Sequence, residues 1–396
     1  MMMKIAVKDI KEGSVFSEPV YIEGKNLFAA AGEAVRKKDI QRLEAWGIEV
    51  VETAGDIVAP SVGGKAASQQ VPAQDGAKKS LATGGAASPL SANGEKDAYR
   101  NYLDLIERLN DICNNIAGSI TVEARSVDNL TSRIILAVRE QRDAFISFIL
   151  GGNVKQHPMA KSMVNTAILS AFIAIELKLP TKKVMQIITG ALLHDVGMLR
   201  LPSAIVEKKG VLSAAELQRI QSHPLYTYKI VIKELLYPTE IGLVVLQHHE
   251  RWDGEGYPRR LSGKAIDIGA RIVSVSDAFE AMISQKPYRN SIMGYQAIKN
   301  LLADNLRRFD PDVIKAFIQT MGIYPIGSII LLNNGAMARV VNVQKTAPLR
   351  PKIKILIDEF GTVFKDNKGD EIDLLVEKSL FIAKSIDPKE AAKKYA

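Results

Sequence analysis

Cysteine is almost absent from this 396-residue chain, which has a single one, Cys113. One cysteine excludes an internal disulfide and any zinc site built from several thiolates, and we expect Cys113 to be a buried helical residue. Long apolar runs are absent too, since none reaches about 18 residues, and the first residues lack the apolar core and cleavage site of a signal peptide. We therefore predict a cytoplasmic protein without membrane insertion.

Concentrated charge of one sign is also lacking. The net charge is +8, but the lysines and arginines are scattered along the chain. Because no basic stretch is interleaved with aromatic residues, the sequence predicts no DNA or RNA partner. A mildly basic balance also suits an enzyme that acts on an anionic phosphate ester.

Composition and periodicity predict a mainly α protein in five parts. These are a small N-terminal α/β module over 1–53, a flexible linker over 54–97, a helical lead-in over 98–154, a helical domain over 155–322 and a small β-rich region over 323–396. In the N-terminal module, a helical pattern over 37–46 lies among short strand-like runs. The lead-in helices either form a homodimer interface or pack on the domain that follows.

Helix signals are clearest in the 155–322 domain. Pro158 stands at the first position of an apolar helix, and Thr181 and Thr239 are placed to cap later ones. Ser213 and Glu216 have the spacing of a capping box. The sequence therefore predicts a series of helices over 155–322.

Histidine is scarce, yet four of the five histidines fall between 192 and 289, with acidic residues close by. The candidate ligands are His194, Asp195, His223, His248, His249 and Asp277. They lie on, or at the ends of, different predicted helices, as a metal centre inside a helical bundle requires. A single buried histidine is more often a satisfied core residue, but burying this many polar groups without a metal leaves donors and charges unpaired.

At these residues the chain resembles the HD-GYP family of HD phosphohydrolases, over about 155–321. The matching motifs are Leu-Leu-His194-Asp195-Val-Gly, Ser-His223-Pro224, the run from His248 to Pro258 that ends in Gly256-Tyr257-Pro258, Ser276-Asp277-Ala278-Phe279, and Lys286-Pro287-Tyr288-Arg289. The resemblance implies an all-helical HD-type metal-binding bundle. It also implies hydrolysis of cyclic di-GMP to pGpG or GMP at two divalent metal ions, iron or manganese.

The resemblance also implies a role for each matching position. Asp195 would bridge the two metals, with His194 and Asp277 on one and His223, His248 and His249 on the other; His194 and Asp195 form the catalytic pair. A metal pair lowers the pKa of water and clamps phosphoryl oxygens, while imidazole and carboxylate ligands without thiolate leave the metal's identity open.

The substrate side of the site follows from the same resemblance. Tyr257, Lys286 and Arg289 would contact the substrate, although solvated surface charge is an equally good interpretation of the two cations. The Gly-Tyr-Pro loop would also offer a surface to diguanylate cyclases or other signalling proteins.

Two positions depart from the family pattern. Ser162 stands where the family has a further histidine, and Met198 stands where it has a lysine. A hydroxyl is a poor replacement for an imidazole, and His157, five residues away on a helix, should miss the site because it points elsewhere. We therefore predict one complete metal site, one weak site and reduced activity.

Two alternatives stay open. The first is a catalytically inactive module that binds cyclic di-GMP or a signalling partner. The second is an HD phosphohydrolase that acts on another nucleotide, which the Gly-Tyr-Pro loop disfavours.

Overall fold

A computed structural model describes residues 3–22, 26–29, 31–32, 34–35, 40, 50–58, 92–151, 154, 156–208, 210–284, 294–303, 305–364 and 368–386. The chain forms two compact units. One consists mainly of residues 1–90, and the other of residues 91–331 with most of the chain that follows.

The N-terminal unit is built from short strands. They are β1 (Met3–Ala6), β2 (Val15–Phe16), β3 (Val20–Ile22), β4 (Asn26–Ala29), β5 (Val50–Thr53) and β6 (Ile57–Val58). Four of them form an antiparallel sheet in the order β1-β5-β3-β4, and β2 pairs with β6. Alternation in β5 buries Val51 against Phe16 and Val20, which are fully buried.

The predicted helix over 37–46 and most of the predicted linker lie outside the described residues. At the two ends of that linker, the structure has strand β6 and the beginning of a helix at Ala92. The sequence missed both because apolar residues are sparse there.

Thirteen helices are described in the second unit. They are α1 (Ala92–Ala117), α2 (Ala124–Glu140), α3 (Arg142–Gly151), α4 (Pro158–Glu176), α5 (Thr181–Leu193), α6 (Ser203–Val206), α7 (Ala214–Ile220), α8 (His223–Lys229), α9 (Thr239–Gln247), α10 (Ile268–Ile283), α11 (Gly294–Ala303), α12 (Asn305–Arg308) and α13 (Pro311–Met321). The mainly helical prediction is confirmed. The capping box at Ser213 is present, but Thr181 and Thr239 are not caps, because Pro180 and Pro238 occupy the cap positions before them.

The lead-in helices α1–α3 share one apolar core with the domain that follows. Tyr102, Leu105 and Phe145 from the lead-in belong to the same buried cluster as Ile168 and Leu192. This arrangement supports the second interpretation of the lead-in, packing on the domain. Cys113 is buried in α1, as predicted, and burial raises the pKa of its thiol to about 12.

Helix α4 runs through the centre of this core. By length and composition it is apolar enough to cross a membrane, but 72% of that stretch is buried inside the unit. Buried residues occur on every side of it, so it has the composition of a central core helix.

The predicted β-rich region is a five-stranded sheet in the order β10-β9-β8-β7-β11. Its strands are β7 (Ile329–Leu332), β8 (Met337–Asn342), β9 (Lys352–Ile357), β10 (Glu371–Asp373) and β11 (Ile382–Ile386). The prediction of a β-rich region is confirmed.

Candidate metal centre

Most of the candidate ligands lie at helix ends. His194 and Asp195 follow the last turn of α5, His223 opens α8, and His248 and His249 follow α9. Asp277 lies inside α10. Four helices, α5, α8, α9 and α10, therefore carry or adjoin the imidazoles and carboxylates of the candidate site.

Three of the histidines have the same orientation. Nδ1 of His194, His223 and His248 lies 2.8 Å from the carbonyl oxygen three residues earlier. A carbonyl can only accept a hydrogen bond, so Nδ1 must carry the proton in each ring. In the neutral rings this leaves a lone pair on Nε2, which is how metal-bound histidines are oriented by their surroundings.

The Nε2 atoms meet around Asp195. His223 Nε2 lies 3.3 Å from His248 Nε2 and 3.2 Å from Asp195 Oδ1, and His248 Nε2 is 3.9 Å from the same oxygen. Ligand atoms of Asp195, His223, His248 and His249 all lie within 4.8 Å of one another. Electron-pair donors that face each other this closely repel unless a cation lies between them, so this donor set fits a metal ion.

The second oxygen of Asp195 faces another histidine. Asp195 Oδ2 is 3.5 Å and Asp277 Oδ1 is 3.6 Å from His194 Nε2, which is fully buried and has no hydrogen-bond partner. Buried polar atoms rarely lack a partner, and a cation among these three groups would provide one. The two oxygens of Asp195 therefore face two half-sites.

The pKa shifts of the histidines differ between the two half-sites. Burial alone would lower the pKa of His194, but the Asp195 and Asp277 carboxylates outweigh it and raise the pKa to about 9. Burial and the neighbouring His223 lower the pKa of His249 to about 3, and burial beside His249 also lowers the pKa of His248. At neutral pH, His248 and His249 are thus ready to donate lone pairs.

The carboxylates remain ionised and accessible. Although burial opposes it, His194 and His223 hold the pKa of Asp195 well below its usual range, and His194 similarly lowers that of Asp277. The side chains of Asp195 and Asp277 are 32% and 23% exposed. The centre therefore opens to solvent on its carboxylate side.

Gly197 permits the close approach of α8 to the turn after His194. A Cβ at position 197 would lie 2.2 Å from the carbonyl oxygen of His223 and 2.6 Å from the backbone nitrogen of Thr227. The buried Thr227 hydroxyl accepts a hydrogen bond from Gly197 N–H (2.9 Å) and donates one to His194 C=O (3.0 Å). Thr227 thus joins the two segments that carry His194 and His223.

The loop after His249 is folded around a buried glutamate. Glu250 accepts hydrogen bonds from the backbone N–H groups of Arg259 (2.7 Å) and Leu261 (2.9 Å). Gly256 passes so close to Glu250 that a Cβ there would lie 2.6 Å from its Cα. As a result, the Tyr257 ring stacks on His249 with 4.8 Å between ring centroids.

Asp253 does not approach the metal centre as a ligand. Its carboxylate pairs with Arg251 at 2.7 Å and accepts a hydrogen bond from the Glu255 N–H at 3.1 Å. Asp253 therefore shapes the turn. The structure does not describe Lys286 and Arg289, so their predicted substrate contacts lie outside the described residues.

Ser162, the first of the two departures from the family pattern, forms a hydrogen bond inside the protein. Its hydroxyl donates to Glu280 Oε2 at 2.5 Å, and Glu280 is fully buried. Asn165 (3.2 Å) and Ser284 (2.5 Å) donate to the other oxygen of Glu280. Sequence reasoning missed Glu280, although its position one turn after Asp277 on α10 was a usable signal.

The other predicted positions fall as follows. His157 is exposed before α4, outside the cluster, and Met198 is half-buried in the short turn after Asp195. Thr227 and Glu250 were also missed as supports of the centre. Glu250 offered a signal, because it directly follows the histidine pair.

Two family models match this chain. Residues 151–313 match an HD domain, and residues 329–394 match a KOW domain associated with the HD domain. The solved structure of Bd1817, an HDG"Y"P protein from Bdellovibrio bacteriovorus, aligns with a TM-score of 0.47 at 16% identity, covering 80% of this chain and 98% of that one.

Curated relatives match parts of this chain. A cyclic di-GMP phosphodiesterase, PdeB of Borreliella burgdorferi, is 33% identical over 227 residues, which are 57% of this chain and 59% of the relative. The 3'3'-cGAMP-specific phosphodiesterase 3 of Vibrio cholerae is 35% identical over 136 residues, which are 34% of this chain and 29% of the relative. This chain therefore spans less than two thirds of the length of each. Residues 151–313 therefore match an HD domain, and the match to an HD-associated KOW domain follows it in the chain.

Proposed function

We propose that this chain is a metal-dependent phosphodiesterase that hydrolyses cyclic di-GMP to pGpG or GMP, with activity reduced by a weak second metal site. One observation carries the proposal: Asp195 Oδ1, His223 Nε2 and His248 Nε2 face one another at 3.2–3.9 Å. The similarity to PdeB, a cyclic di-GMP phosphodiesterase, supports the choice of substrate.

Two divalent ions, iron or manganese, suit the two half-sites. His223, His248 and His249 with Asp195 Oδ1 would hold one, and His194 and Asp277 with Asp195 Oδ2 the other. When bound, such ions supply positive charge to phosphoryl oxygens and lower the pKa of water.

The other residues of the site bind and orient the substrate. The exposed sides of Asp195 and Asp277 leave room for a phosphodiester next to the ligands. Burial raises the pKa of Tyr257, so its hydroxyl keeps its proton and can donate a hydrogen bond to a phosphate oxygen at the entrance. The His249–Tyr257 stack fixes the direction of that donor.

The test is turnover of cyclic di-GMP by purified protein loaded with Mn²⁺ or Fe²⁺, with products separated by chromatography. We expect slow formation of pGpG that is lost in His248→Ala. Metal-loaded wild-type protein that binds cyclic di-GMP without any turnover would refute the enzyme and favour the inactive binding module. Parallel assays with 3'3'-cGAMP test the other substrate, which the Vibrio relative suggests.

The remaining assignments stay predictions. These are the division into an N-terminal accessory module and linker, cytoplasmic localisation, a homodimer, and contact between the Gly-Tyr-Pro loop and diguanylate cyclases. The proposed chemistry depends on none of them.

A further inference from the structure

Arg271, on α10, joins three elements with one guanidinium. Its Nε donates a hydrogen bond to the carbonyl oxygen of Ile266 at 3.0 Å, and one terminal nitrogen pairs with the Asp310 carboxylate at 2.5 Å. The same guanidinium lies over the Trp252 ring, with 5.7 Å between Cζ and the ring centroid. Arg271 therefore connects α10 with the start of α13 and with the loop over 250–263, which follows the histidine pair.

The ion pair that holds this guanidinium is largely buried. The side chain of Asp310 is 3% exposed and that of Arg271 is 15% exposed. The other oxygen of Asp310 accepts a hydrogen bond from the Asp312 N–H at 2.9 Å, at the cap of α13. Because a guanidinium is planar and always charged, a pair held by this many hydrogen bonds has one preferred geometry. Arg271 therefore presents a fixed planar surface to Trp252.

Trp252 lies at the base of the loop that carries Tyr257. The Trp252 N–H donates to the Arg308 carbonyl oxygen at 2.9 Å, and the Trp252 carbonyl oxygen accepts a hydrogen bond from the Gly263 N–H at 3.0 Å. These two bonds fix the main chain where the loop leaves α9 and where it returns. The contact with Arg271 fixes the direction of the Trp252 ring.

We propose that Arg271 is a positioning residue for the Tyr257 hydroxyl, a role that rests on the function proposed above. Tyr257 stacks on His249 with 4.8 Å between centroids, and its N–H donates to the His249 carbonyl oxygen at 3.2 Å. A single ring contact and a hydrogen bond at the long end of the usual range are modest restraints. The direction of the hydroxyl therefore depends on the base of the loop, which Arg271 ties to the helix that carries Asp277.

The test replaces Arg271 by lysine. Lysine keeps a positive charge beside Asp310, but its ammonium has neither a planar surface for the Trp252 ring nor a fork for two acceptors. The first measurement is the binding of a bis-phosphorothioate analogue of cyclic di-GMP to Mn²⁺-loaded protein, so that affinity is measured apart from turnover. The second is acrylamide quenching of Trp252 fluorescence in a Trp46→Phe background, since the chain has two tryptophans.

Arg142→Lys is the matched control. The Arg142 guanidinium also lies 5.7 Å from the centroid of an aromatic ring, that of Phe172, and it also donates to a backbone carbonyl oxygen, that of Thr320. It belongs to α3, which carries no candidate ligand. A loss caused by removing any stacked guanidinium from the helical unit should appear in both variants, whereas a loss transmitted through the loop should appear in Arg271→Lys alone.

We expect Tyr257→Phe, which removes one hydrogen bond to a phosphate, to raise the Kd of the analogue about tenfold, and Arg271→Lys to raise it about fivefold. Arg142→Lys should stay within about twofold of wild type. The double variant of Arg271→Lys and Tyr257→Phe should match Tyr257→Phe alone, because no hydroxyl is left to position. Trp252 should also be quenched more strongly in Arg271→Lys, with the Mn²⁺ content unchanged.

Three results would overturn the assignment: losses that multiply in the double variant, an equal loss in Arg142→Lys, or unchanged quenching of Trp252. If Arg271→Lys does not fold, Trp252→Leu decides, because it leaves the Arg271–Asp310 pair in place and should raise the Kd by a similar factor. Wild-type protein that binds the analogue but never hydrolyses cyclic di-GMP would refute only the proposed enzyme, while failure to bind the analogue would refute both.

Discussion

Thr227→Val should uncouple the segments that carry His194 and His223. Valine has nearly the shape of threonine, so the substitution leaves no cavity, but the Gly197 N–H and the His194 C=O lose their buried partner. An unsatisfied buried polar group costs about 1–3 kcal/mol. Two such groups, one of them a carbonyl with a second lone pair, predict a loss of about 2–4 kcal/mol in the free energy of unfolding.

Urea unfolding of metal-free protein, followed by far-UV circular dichroism, measures this loss in the helical unit. Thr227→Ser is the matched control, because it keeps the hydroxyl and removes only a methyl group, at about 1 kcal/mol. The valine variant should also bind Mn²⁺ about tenfold more weakly, as expected when the support of a ligand is removed. If valine proves as stable as serine and binds Mn²⁺ like wild type, the Thr227 bridge does not hold the centre together.

Three further outcomes follow from the geometry of the centre. His248→Ala should keep the fold but weaken Mn²⁺ binding at the tighter site at least about tenfold, measured by equilibrium dialysis; unchanged binding would exclude His248 as a ligand. Ser162→His should strengthen Mn²⁺ binding at the second site, because Glu280 can accept a hydrogen bond from the ring N–H that does not face the metal. This gain in affinity should vanish when Glu280→Gln is added, and a gain that persists would exclude the contact between the new histidine and Glu280. At about pH 7.5, filling the second site should release about one proton, because the raised pKa of His194 keeps this side chain protonated until metal binds. His248 and His249 are already neutral and have no such proton to release. Calorimetric titration in buffers of different ionisation enthalpy measures the release, and equal release at both sites would contradict the assignment.

The helices and the candidate ligands were accessible from sequence because they depend on local signals. Apolar periodicity predicted the helices, and adjacent pairs such as His194-Asp195 and His248-His249 marked their ends. The residues that support the candidate ligands, by contrast, could not be identified from local sequence signals. Thr227 and Gly197 are 30 residues apart, and Ser162 and Glu280 are 118 apart, so nothing local indicates that each pair meets.

Ser162, where the family resemblance implies a histidine, lies in intact surroundings. Ser162, Asn165 and Ser284 donate three hydrogen bonds to Glu280, so this carboxylate stays satisfied although no histidine contacts it. Asp277, one turn earlier on α10, keeps its place beside His194. The serine at position 162 would therefore cost the proposed second half-site one imidazole donor.

The proposed second half-site would be weakened further, because both half-sites would use Asp195. A cation held at Oδ1 would withdraw electron density from the carboxylate, and its charge would repel a second cation at Oδ2. A missing imidazole and a shared, already neutralised carboxylate act in the same direction. We therefore expect the two ions to bind in sequence, the first tightly and the second only at higher metal concentration. Turnover should then rise with occupancy of the second site rather than the first.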